Sequence, residues 1–489
     1  CSGVGGIDAI LHEIDAGRFE RVVAYNPEWE DVYEQTGINR WYTIAFDDEI
    51  QLSEVGERLA ALPGVAVVEY GIDPRYIRPM SEGPAVPASG GMFPRVGETR
   101  AAKAMNDPML PFQWNYDNPG GGLFPDVAVK PEAGADIDLL DAWQLCTGSE
   151  EVIVAVIDEP VQTTHPDLRA NIWSNPKNSQ EHGYNFWDDS PELDWKSVGG
   201  DDRNPEYADH GTHVAGVIAA VNNNGEGVCG IAGGSGNGDG VRIMTIGWSA
   251  DNRQTIPNGD MFAYAADNGA VIASCSWEVS SPDLAPDLQA GLDYFIDNAG
   301  MDENGVQTGP MKGGLIMFAA GNSGENRLKF PSYYDRVVSV ASMAPDYNKA
   351  SYSNWAPEVD ILAPGGEKNF GEAYAVYSTY TDSGYAYIEG TSMATPHVSG
   401  VAALIVSEYG KEGFTSDDLR KRLLASFRPI SPVVSGEYAN QIGVGLVDAS
   451  LITLEDPGVS PGALENYGAE GLPDSVRIYC LSLIHISEP

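Results

Sequence analysis

Apolar strand-like segments alternate with alanine-rich helical segments over most of the chain, and this pattern restricts the fold more than any other feature. The runs VIVAVID, VRIMTIG, VIASCSW, GLIMFAAG and VVSVASM are separated by helical stretches such as HVAGVIAAV and DMFAYAADNG. Strands that lack polar alternation and are separated by helices predict a parallel sheet covered on both faces. Ligands bind such sheets at the carboxyl ends of the strands. We therefore expect an α/β fold with its functional site at that edge.

Three candidate side chains fall where such segments begin or end. Asp158 ends VIVAVID, His210 lies in DHGTHVAGVIAAV, and Ser392 lies in EGTSMATPHVSGVAALIVSEYG, a loop that enters a buried helix. Taken singly, the Asp could be a turn former, the His a structural residue and the Ser an ordinary N-cap. We place Pro396 in the first helical turn, where its missing N–H is not needed. Ser392 would then lie at a helix N-terminus, whose positive potential favours an oxyanion.

The three segments taken together resemble a known family. Three segments are similar to the signature segments of the subtilase family and follow in the same order. They are the strand that ends at Asp158 and continues to THPDL, then HGTHVAG, then GTSMATPHVSG. The separations of 52 and 182 residues are longer than in the smallest members, and we interpret the acidic stretch 175–207 as an insertion. The resemblance implies a catalytic triad of Asp158, His210 and Ser392. It also implies that Asn322, which ends GLIMFAAGN, donates a hydrogen bond to the oxyanion, whereas alone it would be interpreted as a turn residue.

The resemblance implies a fold and a reaction. Residues 105–455 are expected to form the subtilisin-like three-layer domain with a mostly parallel central sheet, closing with GVGLVDA. The implied activity is that of a serine endopeptidase that hydrolyses peptide bonds through an acyl-enzyme, without a catalytic metal or organic cofactor. Two alternatives stay open: a catalytically silent binding protein on the same scaffold, and a ligase that passes the acyl group to an amine.

Two departures from the family pattern affect the expected site. Glu159 and Pro160 follow Asp158, where the family usually has a small or hydroxyl residue and then Gly. A carboxylate so close to the triad is expected to move activity towards higher pH. The substrate-binding residues implied by the resemblance are Ser276, Trp277, Glu278, Ala319, Ala320 and Gly321. Glu278 replaces a family Gly; an inward side chain would favour basic residues or narrow the pocket, and an outward one would do nothing.

The N-terminal part predicts a separate unit. RWYTIAF and VAVVEYG have the pattern of strands and LSEVGERLAALPG that of a helix, so residues 1–80 predict a small α+β domain. This domain resembles a subtilase propeptide, which would act in cis as folding assistant and inhibitor; an unrelated α+β binding domain is the alternative. Residues 81–104, rich in Pro, Gly and Ser, predict a connection that contains the processing region.

Charge and metal-ligand chemistry narrow the choice of partners. The chain has 71 acidic and 28 basic residues and a net charge of −43, which disfavours nucleic acid and favours divalent cations. By resemblance, structural calcium would be bound by Asp167 and by Asn223 in VNNNGEGVCGIA, with a simple Asn/Gly turn as the alternative. The five cysteines lack metal-binding spacing, and no run of 18 apolar residues indicates a transmembrane helix.

The two ends of the sequence bear on the cellular location of the protein and on its true length. We expect a secreted, cell-surface or periplasmic monomer, with Cys1 either an acylated lipoprotein terminus or, as we prefer, the start of a truncated sequence. Residues 456–489 predict a Pro/Gly-rich linker followed by CLSLIHISEP, which resembles translated adaptor sequence.

Overall fold

Helices and strands alternate along the larger part of the chain, as the apolar pattern predicts. The computed structural model describes residues 6–46, 51–70, 77–79, 82–87, 104–120, 131–187, 189–193, 195, 209–250, 253–254, 257–279, 285–428, 430, 438 and 440–452. The helices are α1 (Ile7–Glu13), α2 (Glu30–Thr36), α3 (Leu52–Ala60), α4 (Leu139–Ala142), α5 (His210–Ala219), α6 (Gly259–Asp267), α7 (Pro286–Asn298), α8 (Thr391–Tyr409) and α9 (Ser416–Leu423). The strands are β1 (Arg18–Arg21), β2 (Tyr42–Ala45), β3 (Ile77–Pro79), β4 (Glu82–Pro87), β5 (Ile153–Asp158), β6 (Gly183–Asn185), β7 (Arg242–Gly247), β8 (Ser249–Ala250), β9 (Arg253–Gln254), β10 (Ile272–Cys275), β11 (Trp277–Val279), β12 (Leu315–Ala319), β13 (Val338–Met343), β14 (Ile361–Pro364), β15 (Val376–Tyr380), β16 (Gly384–Glu389), β17 (Phe427–Arg428) and β18 (Leu446–Val447).

The central sheet has nine strands in the order β17-β18-β14-β13-β12-β10-β5-β7-β6. All neighbouring pairs are parallel except β17 and β18, which are antiparallel. The carboxyl ends of β5, β10 and β12 are neighbours in this order, so residues that follow these strands meet at one edge of the sheet.

Alternate side chains of β5 enter two different cores, which makes the domain three layers thick. Val154 and Val156 pack into a core with α5, α8 and α9. Ala155 and Ile157 pack into a second core with α6 and α7 on the other face. Because both faces are buried, the strands are apolar without alternation. The predicted α/β fold with a mostly parallel sheet is confirmed.

The N-terminal unit has its own small core. α1 and α3 pack through Ile10, Ile14, Val55 and Leu59 beside the antiparallel pair β1 and β2. The prediction of a strand in VAVVEYG is wrong for residues 65–70, which are not assigned to a strand. Val65 and Val68 of this stretch pack against the same core instead. Burial of side chains, rather than a ladder of backbone hydrogen bonds, explains its apolar composition.

The N-terminal unit also contacts the large domain. Trp29, Tyr33 and Ile38 belong to the core that contains α6 and α7, and the Tyr33 hydroxyl donates to Asp267. Two later segments pair with strands of the large domain: β3 runs antiparallel to β11, and β4 runs antiparallel to β16. In the described ranges, no helix is both long and apolar enough to cross a membrane.

Candidate active site

Asp158 and His210 form a buried pair at the carboxyl edge of the sheet. Asp158 is the last residue of β5, and His210 is the first residue of α5. His210 Nδ1 donates to Asp158 Oδ1 at 2.7 Å, and the two residues are 4% and 0% exposed. This bond fixes the neutral tautomer, which leaves Nε2 as an acceptor. In the described part of the chain, Nε2 has no hydrogen-bond partner.

The residues next to this pair allow the close approach of β5 and α5. A Cβ on Gly211 would collide with the carbonyl oxygen of Glu159, so only Gly fits between the two segments. Glu159 contributes two hydrogen bonds: its N–H donates to Asp158 Oδ1 at 2.7 Å, and its Oε2 accepts from the His210 backbone N–H at 3.1 Å. The unusual carboxylate therefore binds the start of α5.

Ser392 lies in the first turn of α8 and is fully buried. Its hydroxyl donates to the carbonyl oxygen of Ser276 at 2.9 Å, and the Ser276 hydroxyl donates to the carbonyl oxygen of Ser392 at 2.9 Å. The placement of Pro396 in the first helical turn is wrong, because α8 begins at Thr391 and Pro396 is its sixth residue. A residue at this position would normally donate its N–H to the carbonyl oxygen of Ser392. Since Pro has no N–H, that oxygen accepts from Ser276 instead.

Asn322 follows β12 and is oriented by the start of α8. Its Oδ1 accepts from the Thr391 backbone N–H at 2.9 Å and from the Thr391 hydroxyl at 2.8 Å. The side-chain Nδ2 is buried and has no partner among the described residues. Because Thr391 precedes Ser392, the amide is held next to the serine with its donor group available.

The segment 276–278 also borders Ser392, through Ser276. β11 pairs with β3 of the N-terminal unit, with Trp277 opposite Pro79, Glu278 opposite Arg78 and Val279 opposite Ile77. An extended segment thus lies on β11, whose preceding residue Ser276 contacts Ser392. The Trp277 side chain points away from this segment: its Nε1 donates to the carbonyl oxygen of Ile157 at 2.8 Å.

Comparison with known proteins identifies the family. The model of the subtilase family matches residues 149–469. The chain belongs to the subtilase family.

Its relatives are subtilisin-like serine proteases. This subtilase is 34% identical over 269 residues to thermitase of Thermoactinomyces vulgaris, covering 55% of the chain and 78% of thermitase. It is 32% identical over 317 residues to halolysin of Haloferax mediterranei, covering 65% of the chain and 52% of halolysin. It is 30% identical over 323 residues to the halolysin-like extracellular serine protease Nep of Natrialba magadii, covering 65% of the chain and 50% of Nep. The chain thus spans about half the length of the last two relatives.

Solved structures agree on the fold. A protease of Pseudoalteromonas arctica aligns with a TM-score of 0.51 and 28% identity, covering 71% of this subtilase and 98% of that chain. Fervidolysin of Fervidobacterium pennivorans aligns with a TM-score of 0.62 and 20% identity, covering 91% of this subtilase and 59% of that chain. At that identity, the second match supports the fold alone.

Glu278 points into the protein in this subtilase. Its side chain is 3% exposed, and its Oε1 accepts a hydrogen bond from Lys329 Nζ at 2.8 Å. The side chain is therefore buried, and its effect on the substrate pocket stays a prediction. The sequence motifs contain no signal for Lys329, because it lies 51 residues further along the chain.

The segment of Ala319, Ala320 and Gly321 faces Glu278. Gly321 has a φ of +108°, and a Cβ there would lie 3.2 Å from Glu278 Oε2 and would collide with the amide of Asn354. Asn354 is fully buried and was missed in the sequence analysis. Its Nδ2 donates to the carbonyl oxygen of Ala320 at 3.1 Å, and its Oδ1 accepts from the Ser323 backbone N–H at 3.0 Å. Asn354 thereby holds the loop that carries Asn322.

Two further buried histidines have structural contacts. Burial lowers the pKa of His213 to about 3 and that of His397 to about 4. His213 Nε2 lies 3.1 Å from each of two carbonyl oxygens, and His397 accepts from Asn115 Nδ2 at 2.8 Å. Both are neutral at ordinary pH. His213 Nε2 and both ring nitrogens of His397 have hydrogen-bond partners in the core, whereas His213 Nδ1 has none among the described residues.

The residues implied for calcium are arranged differently from the sequence expectation. Asp167 Oδ1 accepts from Asn224 Nδ2 at 2.7 Å, so Asn224 rather than Asn223 contacts this carboxylate. Asn223 instead accepts from the Asn106 backbone N–H at 3.1 Å. A second carboxylate, Asp107, accepts from the Asn223 backbone N–H at 2.7 Å and was missed in the sequence analysis.

The chemistry of this cluster fits a hard divalent cation. Burial raises the pKa of Asp167 to about 7, with a further contribution from the charge of Asp107, and burial also raises the pKa of Asp107. Calcium prefers carboxylate and amide oxygens, and this cluster contains two buried carboxylates and the Asn224 side chain, which turns its Nδ2 towards Asp167. Within the described ranges no group of three or more His, Cys, Asp or Glu side chains gathers as a metal site. Calcium would therefore depend on amide and carbonyl oxygens of the loop as well.

Proposed function

We propose that this subtilase is an endopeptidase that hydrolyses peptide bonds through an acyl-enzyme on Ser392. The observation that carries the proposal is that two buried groups at the carboxyl edge of the sheet lack hydrogen-bond partners among the described residues. The acceptor nitrogen Nε2 of His210 has no hydrogen-bond partner among the described residues, and neither has the donor nitrogen Nδ2 of Asn322. His210 Nε2 can take a proton and Asn322 Nδ2 can bind an oxyanion, and peptide hydrolysis requires both.

The reaction follows from the arrangement of these groups. Ser392 Oγ attacks the peptide carbonyl while His210 Nε2 takes its proton, since a neutral hydroxyl is a weak nucleophile. Asp158 Oδ1 holds the imidazole through Nδ1 and stabilises its charged form. Asn322 Nδ2 and the Ser392 N–H donate to the oxyanion. His210 then protonates the departing amine, and water hydrolyses the ester by the same steps in reverse.

We further propose that the chain is a self-processing zymogen in which the N-terminal unit inhibits the enzyme. β3 lies along β11 in the position that an extended substrate would take, and Trp29 and Tyr33 pack against the face formed by α6 and α7. Strand addition uses backbone hydrogen bonds and tolerates many sequences. The same groove can therefore hold the inhibitory segment first and a substrate later.

Calcium has a structural role in this proposal. Asp167, Asp107 and Asn224 would hold the ion, which would neutralise two buried carboxylates and thereby tie the loop of residues 222–228 to the large domain. The chemistry at Ser392 uses only side chains and water, so no catalytic metal or organic cofactor is involved.

The expected substrates are proteins and peptides. The acidic chain disfavours nucleic acid as a partner. We propose a monomer that acts outside the cytoplasm, which is supported by the extracellular halolysin-like relative Nep.

The test compares the full chain with its Ser392→Ala variant. We expect the parent protein to lose an N-terminal fragment, to react with a fluorophosphonate at Ser392 and to cleave casein in calcium buffer. The variant should stay intact, unlabelled and inactive. A folded parent protein that is neither processed nor labelled would favour the silent binding scaffold, and transfer of the acyl group to added amines in preference to water would favour the ligase.

A further inference from the structure

A fully buried asparagine from a distant segment binds the loop of residues 320–325. The Asn354 side chain is 0% exposed. Its Oδ1 accepts from the backbone N–H groups of Ser323 and Glu325, each at 3.0 Å, and its Nδ2 donates to the carbonyl oxygen of Ala320 at 3.1 Å. Both lone pairs of the amide oxygen and one of its two N–H bonds are therefore used within this loop.

These hydrogen bonds enclose Asn322. One of them joins Asn354 to a residue before Asn322 in the sequence, and the other two join it to residues that follow. The backbone of Asn354 adds a fourth bond, because its N–H donates to the carbonyl oxygen of Gly321 at 2.8 Å. The chain is thus attached to Asn354 on both sides of Asn322.

The loop depends on such external bonds because it contains two glycines in the left-handed region. Gly321 has a φ of +108° and Gly324 a φ of +63°. Glycine permits these sharp turns, but it also has the greatest backbone freedom of all residues. A Cβ at Gly321 would collide with the Asn354 amide. The same glycine therefore makes the turn and leaves room for the side chain that holds it.

The donor group of Asn322 needs a fixed backbone in particular. Its Nδ2 is buried and has no partner among the described residues, so no bond of its own holds it before an oxyanion forms. Thr391 holds the Oδ1 atom through two hydrogen bonds, which set the direction of the amide. The position of the amide also depends on where the Asn322 backbone lies. A donor stabilises developing charge only if it is already in place when that charge forms.

We propose that Asn354 is a positioning residue for the oxyanion in this subtilase, because it fixes the loop of residues 320–325 and thereby the place of Asn322 Nδ2. The inference rests on the proposed peptide hydrolysis and deepens it. Since Asn354 is fully buried, it acts through Asn322 rather than on the substrate. Its side chain should therefore matter for catalysis only while Asn322 is present to be positioned.

The first test is the Asn354→Ala variant, assayed on one tetrapeptide anilide. Rates are expressed per Ser392 labelled to completion by a fluorophosphonate. We expect kcat to fall about ten-fold or more with KM almost unchanged, because the oxyanion exists only during the reaction and small displacements of a catalytic group are costly. An unaltered kcat, or a change confined to KM, would overturn the proposal.

The second test is a double-mutant cycle with Asn322→Ala. In the Asn322→Ala background, Asn354→Ala should change kcat by less than about two-fold, because no donor remains to be positioned. A merely structural role would give the same loss of kcat in both backgrounds, and that result would overturn the proposal. If Asn354→Ala does not fold, the cycle is carried out with Asn354→Asp, which has nearly the same shape but lacks the donor to Ala320.

The matched control is Asn171→Ala. Asn171 is 1% exposed, and its Nδ2 donates to the carbonyl oxygens of Ala219 and Gly233 at 3.0 Å each. Loss of these bonds should lower the melting temperature and leave kcat almost unchanged. A loss of kcat in Asn171→Ala equal to that in Asn354→Ala would mean that any buried asparagine has this effect, and would overturn the proposal.

Failure of the proposed hydrolysis itself looks different. In that case the unmodified protein would not cleave the anilide, and its Ser392 would not react with the fluorophosphonate. Failure of the positioning role alone leaves an active, labelled parent protein and an additive cycle.

Discussion

The Ser276 hydroxyl donates a hydrogen bond to the carbonyl oxygen of Ser392 at 2.9 Å, and the Ser392 hydroxyl donates one to the carbonyl oxygen of Ser276 at the same distance. The first bond is explained by Pro396, which cannot supply the helical N–H that this carbonyl would otherwise accept. The proposed nucleophile, Ser392, is therefore attached to the residue after β10 by a contact that depends on a proline four residues later.

The Ser276→Ala variant is expected to lower kcat by about ten-fold or more with little change in KM, because a buried carbonyl loses its donor and Ser392 shifts. The matched control is Ser399→Ala, which removes another buried hydroxyl from α8, one that donates to Ser274 Oγ at 3.0 Å. Adding Pro396→Ala to Ser276→Ala restores a helical N–H and should recover part of the lost kcat. Equal kcat values for Ser276→Ala and Ser399→Ala would contradict this explanation.

The Asn322→Ala variant should lower kcat on the order of 10²–10³-fold with KM almost unchanged, a magnitude taken from one such donor in subtilisin, a relative. The reason is that its Nδ2 has no partner in the described structure and would bind the oxyanion, which exists only during the reaction. Thr391→Ser is the control, because it keeps the hydroxyl that donates to Asn322 Oδ1 at 2.8 Å. Steady-state kinetics on one anilide substrate provide the measurement. A change in KM with kcat unaltered would exclude the oxyanion role of Asn322.

Calcium is expected to raise the melting temperature more at pH 8 than at pH 5. Burial raises the pKa of Asp167 from 3.8 to about 7, so without metal its contribution to stability falls as the pH rises through this range. Calcium binds the ionised carboxylates and restores that stability. Asp167→Asn should reduce the calcium-dependent shift, while Asp335→Asn, at an exposed position, should not. Thermal unfolding with calcium or a chelator provides the measurement, and a shift that is independent of pH would argue against this site.

The contact between the N-terminal unit and the large domain should weaken as the pH rises. Burial and the neighbouring Asp287 raise the pKa of Glu69 from 4.5 to about 9. The folded chain therefore binds more protons than the unfolded chain, and its stability declines between about pH 4.5 and 9. Glu69 Oε2 accepts from the Asp287 backbone N–H at 3.2 Å, so it belongs to this contact.

The measurement is the melting temperature of the full-length Ser392→Ala protein as a function of pH. Glu69→Gln should flatten the decline, since an amide does not ionise. Glu57→Gln, a substitution at an exposed carboxylate of α3, should leave the decline as it is. If the two variants gave the same pH profile, the Glu69–Asp287 contact would not be the cause.

Self-cleavage should fall between Pro79 and Glu82. β3 ends opposite Trp277 at Pro79, and β4 begins opposite Glu389 at Glu82. Trp277 directly follows Ser276, and Glu389 lies shortly before Ser392 in the sequence. Ser276 and Ser392 contact each other, so the end of β3 and the start of β4 both lie near Ser392. Met80 and Ser81 lie outside the described residues, and a cut at any bond from Pro79 to Glu82 agrees with this prediction. Intact-mass and N-terminal analysis of the processed protein checks this, and a first cut within residues 88–104 would disagree with the strand pairing.

The motifs alone determined much of the candidate site. Asp158, His210, Ser392 and Asn322 each lie where an apolar strand ends or a buried helix begins, and that pattern is set by residues adjacent in the sequence. The apolar strand runs also predicted the parallel sheet, because burial on both faces removes the polar alternation.

Tertiary structure alone decided which distant segments meet. The sequence did not indicate that Ser276 donates to Ser392 across 116 positions, that Lys329 pairs with Glu278, or that β3 lies on β11. It also misplaced Pro396 within α8 and predicted a strand at residues 65–70. Local preferences describe neighbours along the chain, whereas these contacts depend on how the strands and helices pack once the sheet has formed.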